Sequence, residues 1–185
     1  MKKLLLITGD LACGKTTFAN ILSMRYGACA FCKDSIKEVL GDTIGFANRE
    51  ENRRLSGASI ALMGHIFSEF ARLGRDLILE ANFHSAELEE LHSLAQEYGY
   101  AVRTLVLYGD VELLHARYLN RMRNENRHTV HLSTTFDVFD DFCAYTQNLR
   151  KERIPGEVQI INADDFAYQA APEVLEGIDG FFMGD

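Results

Sequence analysis

Short apolar runs alternate along the chain with longer stretches whose apolar residues recur at helical spacing. The runs Lys3–Thr8, Ala28–Cys32, Asp76–Glu80, Arg103–Tyr108 and Val158–Asn162 predict strands. The stretches Lys15–Met24, Ser35–Leu40, Glu50–Leu73, Ala86–Tyr98, Val111–Asn124 and Thr135–Lys151 predict helices. Alternation of this kind belongs to a parallel sheet covered by helices. The expected fold is therefore α/β, a three-layer α/β/α arrangement around five parallel strands. Asp110 is placed to cap the fifth helix and Gly99 to stop the fourth. Pro155 and Pro172 both fall outside the expected helices, and Pro155-Gly156 marks the turn into the last strand. No internal repeat, low-complexity tract or linker interrupts the chain, which predicts one domain over residues 1–185.

Between the first strand and the first helix the chain reads Gly9-Asp10-Leu11-Ala12-Cys13-Gly14-Lys15-Thr16, a complete G-x-x-x-x-G-K-[ST] phosphate loop. Its setting matters as much as its letters. A strand feeds a glycine turn whose N–H groups line one hollow, and a helix N-terminus adds positive potential. Residues 9–16 with Thr17 form the expected ATP-binding set. Lys15 is placed to reach the β- and γ-phosphates, and the Thr16 hydroxyl to ligate Mg²⁺.

Ligands of open parallel sheets sit at the C-terminal ends of the strands, so the residues after each strand carry most information. Asp34 follows the second strand. It is placed to accept a proton from an attacking hydroxyl, to hold Mg²⁺ through water, or only to cap a helix beginning at Ser35. Lys37, one turn on, shares its side and could steady an anion. Glu80 ends the run Leu77-Ile78-Leu79 and is either a second Mg²⁺-side carboxylate or the partner of a nearby cation. Asn82 could bond an acceptor alcohol or only shape the turn before Phe83. Arg117 and Arg121 share a helix face, with Arg123 and Arg127 beyond them. Guanidinium groups closing over a triphosphate would neutralise its developing charge; a solvated basic face is the alternative. The polar, histidine-bearing residues 124–133 suit the mobile connection of such a lid, drawn at about 117–133. Arg53 and Arg54 either grip an anionic substrate or are exposed helix charges.

Together the phosphate loop, Lys33-Asp34-x-x-Lys37-Glu38, Glu80-Ala81-Asn82-Phe83 and the arginine-rich lid ending Arg127-His128-x-x-His131 resemble the small P-loop kinases. Within that group the chain is most similar to kinases often called AAA-family ATPases, relatives of polynucleotide 5′-kinase, chloramphenicol phosphotransferase and zeta-toxin kinases. The resemblance runs over residues 1–165. It implies a nucleotide-kinase-like fold with Asp34 as base toward a substrate hydroxyl. It also implies Arg117 beside adenine, and Arg121 or Arg127 beside the transferring phosphate. Lys15, Asp34, Arg121 and Arg127 are thus the expected catalytic set, with Asp34, Lys37 and Asn82 facing the acceptor. The stretch after the second strand lacks the arginine that a nucleoside-monophosphate kinase places there, which argues against that substrate type.

Charge and cysteine content then exclude some classes. A net charge of −8 disfavours long nucleic-acid tracts, and no apolar run is long enough to span a bilayer. The Met1-Lys2-Lys3-Leu4 start looks like a leader, but its apolar run ends at Gly9 and cleavage there would remove the phosphate loop. A cytoplasmic setting is expected, in which the four cysteines need not pair. Cys29-x-x-Cys32 lacks a second pair for zinc, and His128-x-x-His131, lacking a third ligand, reads as a lid or substrate contact. The Phe181-Phe182-Met183 tail docks on the core or on a partner. The expected activity is transfer of the γ-phosphoryl of ATP, with Mg²⁺, to a hydroxyl of a small-molecule or nucleotide-like acceptor. A nucleotide-dependent switch acting on a protein partner and a polynucleotide 5′-hydroxyl kinase are the alternatives.

Overall fold

Leu4, Leu5, Leu6 and Ile7 are fully buried, so strand β1 (Lys3–Gly9) must lie inside a sheet covered on both faces. The computed structural model describes residues 1–125, 127–133 and 135–184. Strand β1 pairs in parallel with β3 (Leu77–Glu80) on one side and β4 (Ala101–Tyr108) on the other. Strands β2 (Cys29–Cys32) and β5 (Glu157–Asn162) complete the order β2-β3-β1-β4-β5, all parallel, as the alternating pattern predicts.

Two apolar layers fill the space between sheet and helices. On one face Leu5 and Ile7 meet Phe18 and Leu22 of α1 (Lys15–Tyr26), Leu114 of α5 (Val111–Asn124), Phe142 of α6 (Phe139–Leu149) and Ile178 of α7 (Pro172–Met183). On the other, Leu4 and Leu6 meet Met63 and Phe67 of α3 (Arg49–Arg72) and Leu88 and Leu91 of α4 (Ser85–Glu97). Helix α2 (Lys33–Ile44) lies against α3. Asp110 caps α5, accepting from Leu113 N at 2.9 Å, and Gly99 follows α4 at φ 69°, as expected.

Three elements differ from the sequence expectation. The apolar tail is helical: α7 begins at Pro172, whose missing N–H costs nothing at a first helical position. Phe181 is buried and Phe182 stacks on Tyr26 at 4.3 Å, so the tail docks on the core. Helix α2 begins at Lys33 with Cys32 before it, which puts Asp34 inside the first turn instead of capping a helix from Ser35. Helix α6 begins at Phe139, not Thr135. The backbone of Phe136 is committed to side chains there: its N–H donates to Tyr118 Oη at 3.2 Å, and His115 Nε2 lies 2.9 Å from its carbonyl.

The end of β1 is fixed by a carboxylate. Asp10 is fully buried and receives Arg150 Nη2 at 2.5 Å, Arg150 Nε at 3.2 Å and Gly109 N at 3.1 Å. Arg150 follows α6, so one ion pair ties the phosphate loop to both β4 and α6. Breaking a buried pair from one side strands a charge, so Arg150→Met is expected to cost about 3 kcal/mol in urea-melt stability. Two residues on, Glu152 accepts from the backbone N and hydroxyl of Ser85 and lies 2.8 Å from His84 Nδ1. The Ser85 hydroxyl bond and His84 pull its carboxyl down to about 2. Its folded-state value being depressed, its stabilisation is complete above the ordinary carboxylate range. The excess stability of wild type over Glu152→Gln is therefore expected to shrink as pH falls from about 4.5 toward 2, measured by denaturant melts across that window.

Candidate active site

Strand β1 ends at Gly9 with φ 124°, and a Cβ there would sit 2.1 Å from the Leu107 carbonyl oxygen. Only glycine lets the chain pass β4 so closely. Gly14 closes the loop at φ 86°, where a Cβ would meet Phe166 and Tyr168 at 2.9 Å. Between them Ala12 holds a left-handed φ of 59°, the kind of backbone strain that collects at functional loops. The Tyr168 hydroxyl donates to the Cys13 carbonyl at 2.8 Å and pins the loop from the far side. Helix α1 then starts without a side-chain cap. It is the one α-helix among the described residues with no acid in its first turn. Its first N–H groups and dipole are left to an anion.

Lys15 is buried and donates to the carbonyls of Asp10 at 2.6 Å and Gly9 at 3.1 Å. Burial alone would lower its ammonium value, but the acidic groups around it, Glu80 and Asp34 among them, carry it above normal. The Thr16 hydroxyl donates to Glu80 Oε2 at 2.8 Å, so the two residues expected at a metal stand side by side. Burial pushes the Glu80 carboxyl up, against the pull of Lys15 and the Thr16 hydrogen bond. Both metal-side groups thus have oxygen donors of the kind that a hard cation takes.

A cavity of ≈ 530 Å³ opens above the loop. Its wall holds loop residues 11–17 together with Asp34, Glu80, Asn82, Arg117, Arg121 and Arg127, so most of the sequence-predicted site converges on one space. Gly9 and Asp10 stand behind that wall as its supports. Arg117 donates to the carbonyls of Ala163 and Asp164, and its guanidinium lies 4.3 Å from the centre of the half-exposed Phe166 ring. This makes a flat, cationic platform in the cavity wall. Arg121 is paired with Glu125 at 3.3 Å, while Arg127 Nε is buried with no acceptor among the described residues. Asn82 is already engaged, donating to the Gly9 carbonyl at 2.6 Å. Lys37 turns away from the cavity to the Val130 carbonyl at 3.2 Å. Arg53 is exposed and Arg54 pairs along its own helix with Glu50, as solvated helix charges do.

Sequence reasoning missed Phe166 and Gln169, which close the cavity from the end of β5, and Tyr118 and Asn120 on α5. The rule that ligands gather after strand ends, applied past Asp165, would have reached Phe166. Tyr145 was missed as well. Burial raises its phenol, with Lys15 and Asp34 acting on it in opposite directions, although it does not line the cavity. All four cysteines are free, no group of three metal-binding side chains occurs among the described residues, and no described helix is long and apolar enough to cross a membrane.

The family model described as "AAA domain" matches residues 4–146. The chain belongs to the AAA domain family. No curated protein matches it. Among solved structures, this AAA domain is similar to a proposed kinase from Chloroflexus aurantiacus, with 23% identity over 97% of this chain and 98% of that one, at a TM-score of 0.81. It is also similar to the APS kinase of Mycobacterium tuberculosis, solved with AMPPNP and APS, with 15% identity over 96% and 98% of the two chains and a TM-score of 0.61. The shikimate kinase of Bacteroides thetaiotaomicron gives 15% identity over 97% and 98%, at a TM-score of 0.57. At such identities the likeness is one of fold, and the fold is that of the small P-loop kinases.

If the Arg117–Phe166 platform carries the base, Arg117→Ala is expected to weaken ATP binding about tenfold, read by titration of a fluorescent ATP analogue.

Proposed function

We propose that this AAA domain is an ATP-dependent phosphotransferase that moves the γ-phosphoryl group to a hydroxyl of a small molecule. The observation that carries this reading is the meeting of two kinds of group in one cavity. A phosphate loop with an uncapped helix N-terminus forms its floor, and a carboxylate, Asp34, opens into it from the first turn of α2, after β2. Solved structures of similar fold are those of kinases for shikimate and APS, the latter holding an ATP analogue, which supports a small acceptor. The net charge of −8 supports a small acceptor over a nucleic acid, and free cysteines suit a reducing, cytoplasmic setting.

In this reading the loop N–H groups and Lys15 hold the triphosphate. Lys15 exchanges two bonds to neutral carbonyls for charge-assisted bonds to phosphate oxygens. Thr16 and Glu80 would hold Mg²⁺, which when bound neutralises charge on the β- and γ-phosphates. Arg117 carries the adenine side. Arg127 turns its unpartnered N–H to the transferring group, and Arg121 can join it by leaving Glu125. Asp34 accepts the hydroxyl proton as the acceptor oxygen attacks. Lys37 and Asn82 act one step back, through the Val130 carbonyl and the Gly9 carbonyl.

Asp34→Asn is expected to keep ATP affinity while slowing transfer by about 10²–10⁴. A screen with labelled ATP across sugars, nucleosides, amino alcohols and antibiotics supplies the acceptor for that measurement. Wild-type turnover in the variant would remove Asp34 from the reaction.

A further inference from the structure

The 3₁₀ turn Thr129–His131 that follows the arginine-bearing helix is docked on α2 and α3. Val130 is buried over Gly41, where an added Cβ would come within 2.4 Å of its Cγ1. Its carbonyl accepts from Lys37 and, at 2.7 Å, from the buried Asn52 side chain. Asp34, Glu38 and Asp42 are spaced by four, which sets their carboxylates along one side of α2. Two imidazoles meet this row. His128 Nε2 lies 2.9 Å from Asp42 Oδ1, and His131 Nε2 lies 2.8 Å from Glu38 Oε1. The other ring nitrogen of His131 stands 4.0 Å from Asp34 Oδ2. The His131 side chain is only 10% exposed, that of Asp34 60%.

We propose that His131 is a positioning residue for Asp34, an inference that rests on Asp34 being the acceptor-side base. The bond to Glu38 fixes the imidazole, and the packing of Val130 fixes the turn that carries it. A distance of 4.0 Å is too long for a hydrogen bond; with Nε2–H given to Glu38, it is the doubly protonated ring, presenting Nδ1–H, that orients the Asp34 carboxylate electrostatically across that gap. An exposed aspartate in a first helical turn otherwise samples several rotamers, and each one lost to the reactive geometry lowers the fraction of productive encounters. With Oδ2 drawn toward His131, the other oxygen is left for the acceptor. During transfer the acceptor O–H bond breaks and its proton passes to Asp34. The acceptor oxygen bonds to the γ-phosphorus as the bond from that phosphorus to the ADP oxygen breaks. His131 neither gains nor loses a proton. Arg127 stands four residues before His131 in the chain and lines the nucleotide side of the same cavity. One docked segment therefore sets a group on each side of the phosphoryl in transit.

The test compares His131→Ala with His128→Ala, which loses the Asp42 contact and the bond from Val130 N on the same segment without touching Asp34. The probe is labelled ATP with water as the acceptor. His131→Ala is expected to lower kcat by about tenfold to a hundredfold with little change in the KM for ATP, while His128→Ala stays within about threefold of wild type. A wild-type kcat in His131→Ala overturns the proposal, and so do equal losses in both variants, which would mean only that the turn had undocked. A second measurement needs no turnover. In nucleotide-free protein, Asp34→Asn should move the imidazole nitrogen resonances of His131 and leave those of His128 in place. Unmoved His131 resonances overturn the proposal even in a protein that transfers nothing, whereas shifted His131 resonances beside wild-type turnover in Asp34→Asn count against the base reading alone.

Discussion

A carboxylate without solvent access needs every oxygen satisfied, and the way Asp10 meets that demand organises the rest of the molecule. Its side chain draws Arg150 and the Gly109 N–H inward, and its own N–H donates to the Leu107 carbonyl at 2.9 Å. Its carbonyl accepts from Lys15 and from the Cys13 thiol. One residue thereby joins β1, the end of β4, the end of α6 and the turn into α1. The phosphate loop keeps its shape because the side chain at its second position faces inward and cannot leave without stranding Arg150. The same connection reaches the opposite face of the sheet, because Glu152 lies just beyond Arg150 and clamps the start of α4.

A protein with a net charge of −8 still offers a strongly cationic floor and wall to a nucleotide. Charge is sorted by element to achieve this. Loop and lid bring Lys15, Arg117, Arg121 and Arg127 to the cavity, while acids on that side are either paired, as Glu125 is with Arg121, or buried and pushed toward neutrality, as Glu80 is. Helix α2 carries the opposite sign along the row Asp34, Glu38 and Asp42. Of that row Asp34 lines the cavity, while Glu38 and Asp42 hold His131 and His128.

The core was legible because strands buried on both faces read as unbroken apolar runs, and Leu4 to Ile7 do so without ambiguity. The phosphate loop was legible because its letters are tied to backbone geometry. Helix α7 was not: Pro172, Gly177 and Gly180 look like punctuation, and only contact with Tyr26, Lys3 and Arg103 shows that Phe181 and Phe182 belong to the core. The Asp10–Arg150 pair joins residues 140 apart, and no local pattern announces a partner at that distance. Asn82 and Lys37 were read as free to meet substrate because sequence gives position and not what a side chain already holds.

The histidines at the end of the arginine-rich segment show the same limit and its physical origin. His128-x-x-His131 is too sparse for a metal and too far from the phosphate loop in the chain to suggest a role by spacing. Its meaning lies in α2, where a fourfold spacing of acids offers two imidazoles a partner each. Residues 127–133 cannot leave that surface without exposing Val130 and withdrawing Arg127 from the cavity wall. The contacts that dock the turn are therefore also contacts that hold the site, and whatever energy a ligand gains from Arg127 is shared with the packing of Val130 on Gly41. Coupling between the nucleotide wall and the Asp34 wall needs no long path, since a single short segment touches both.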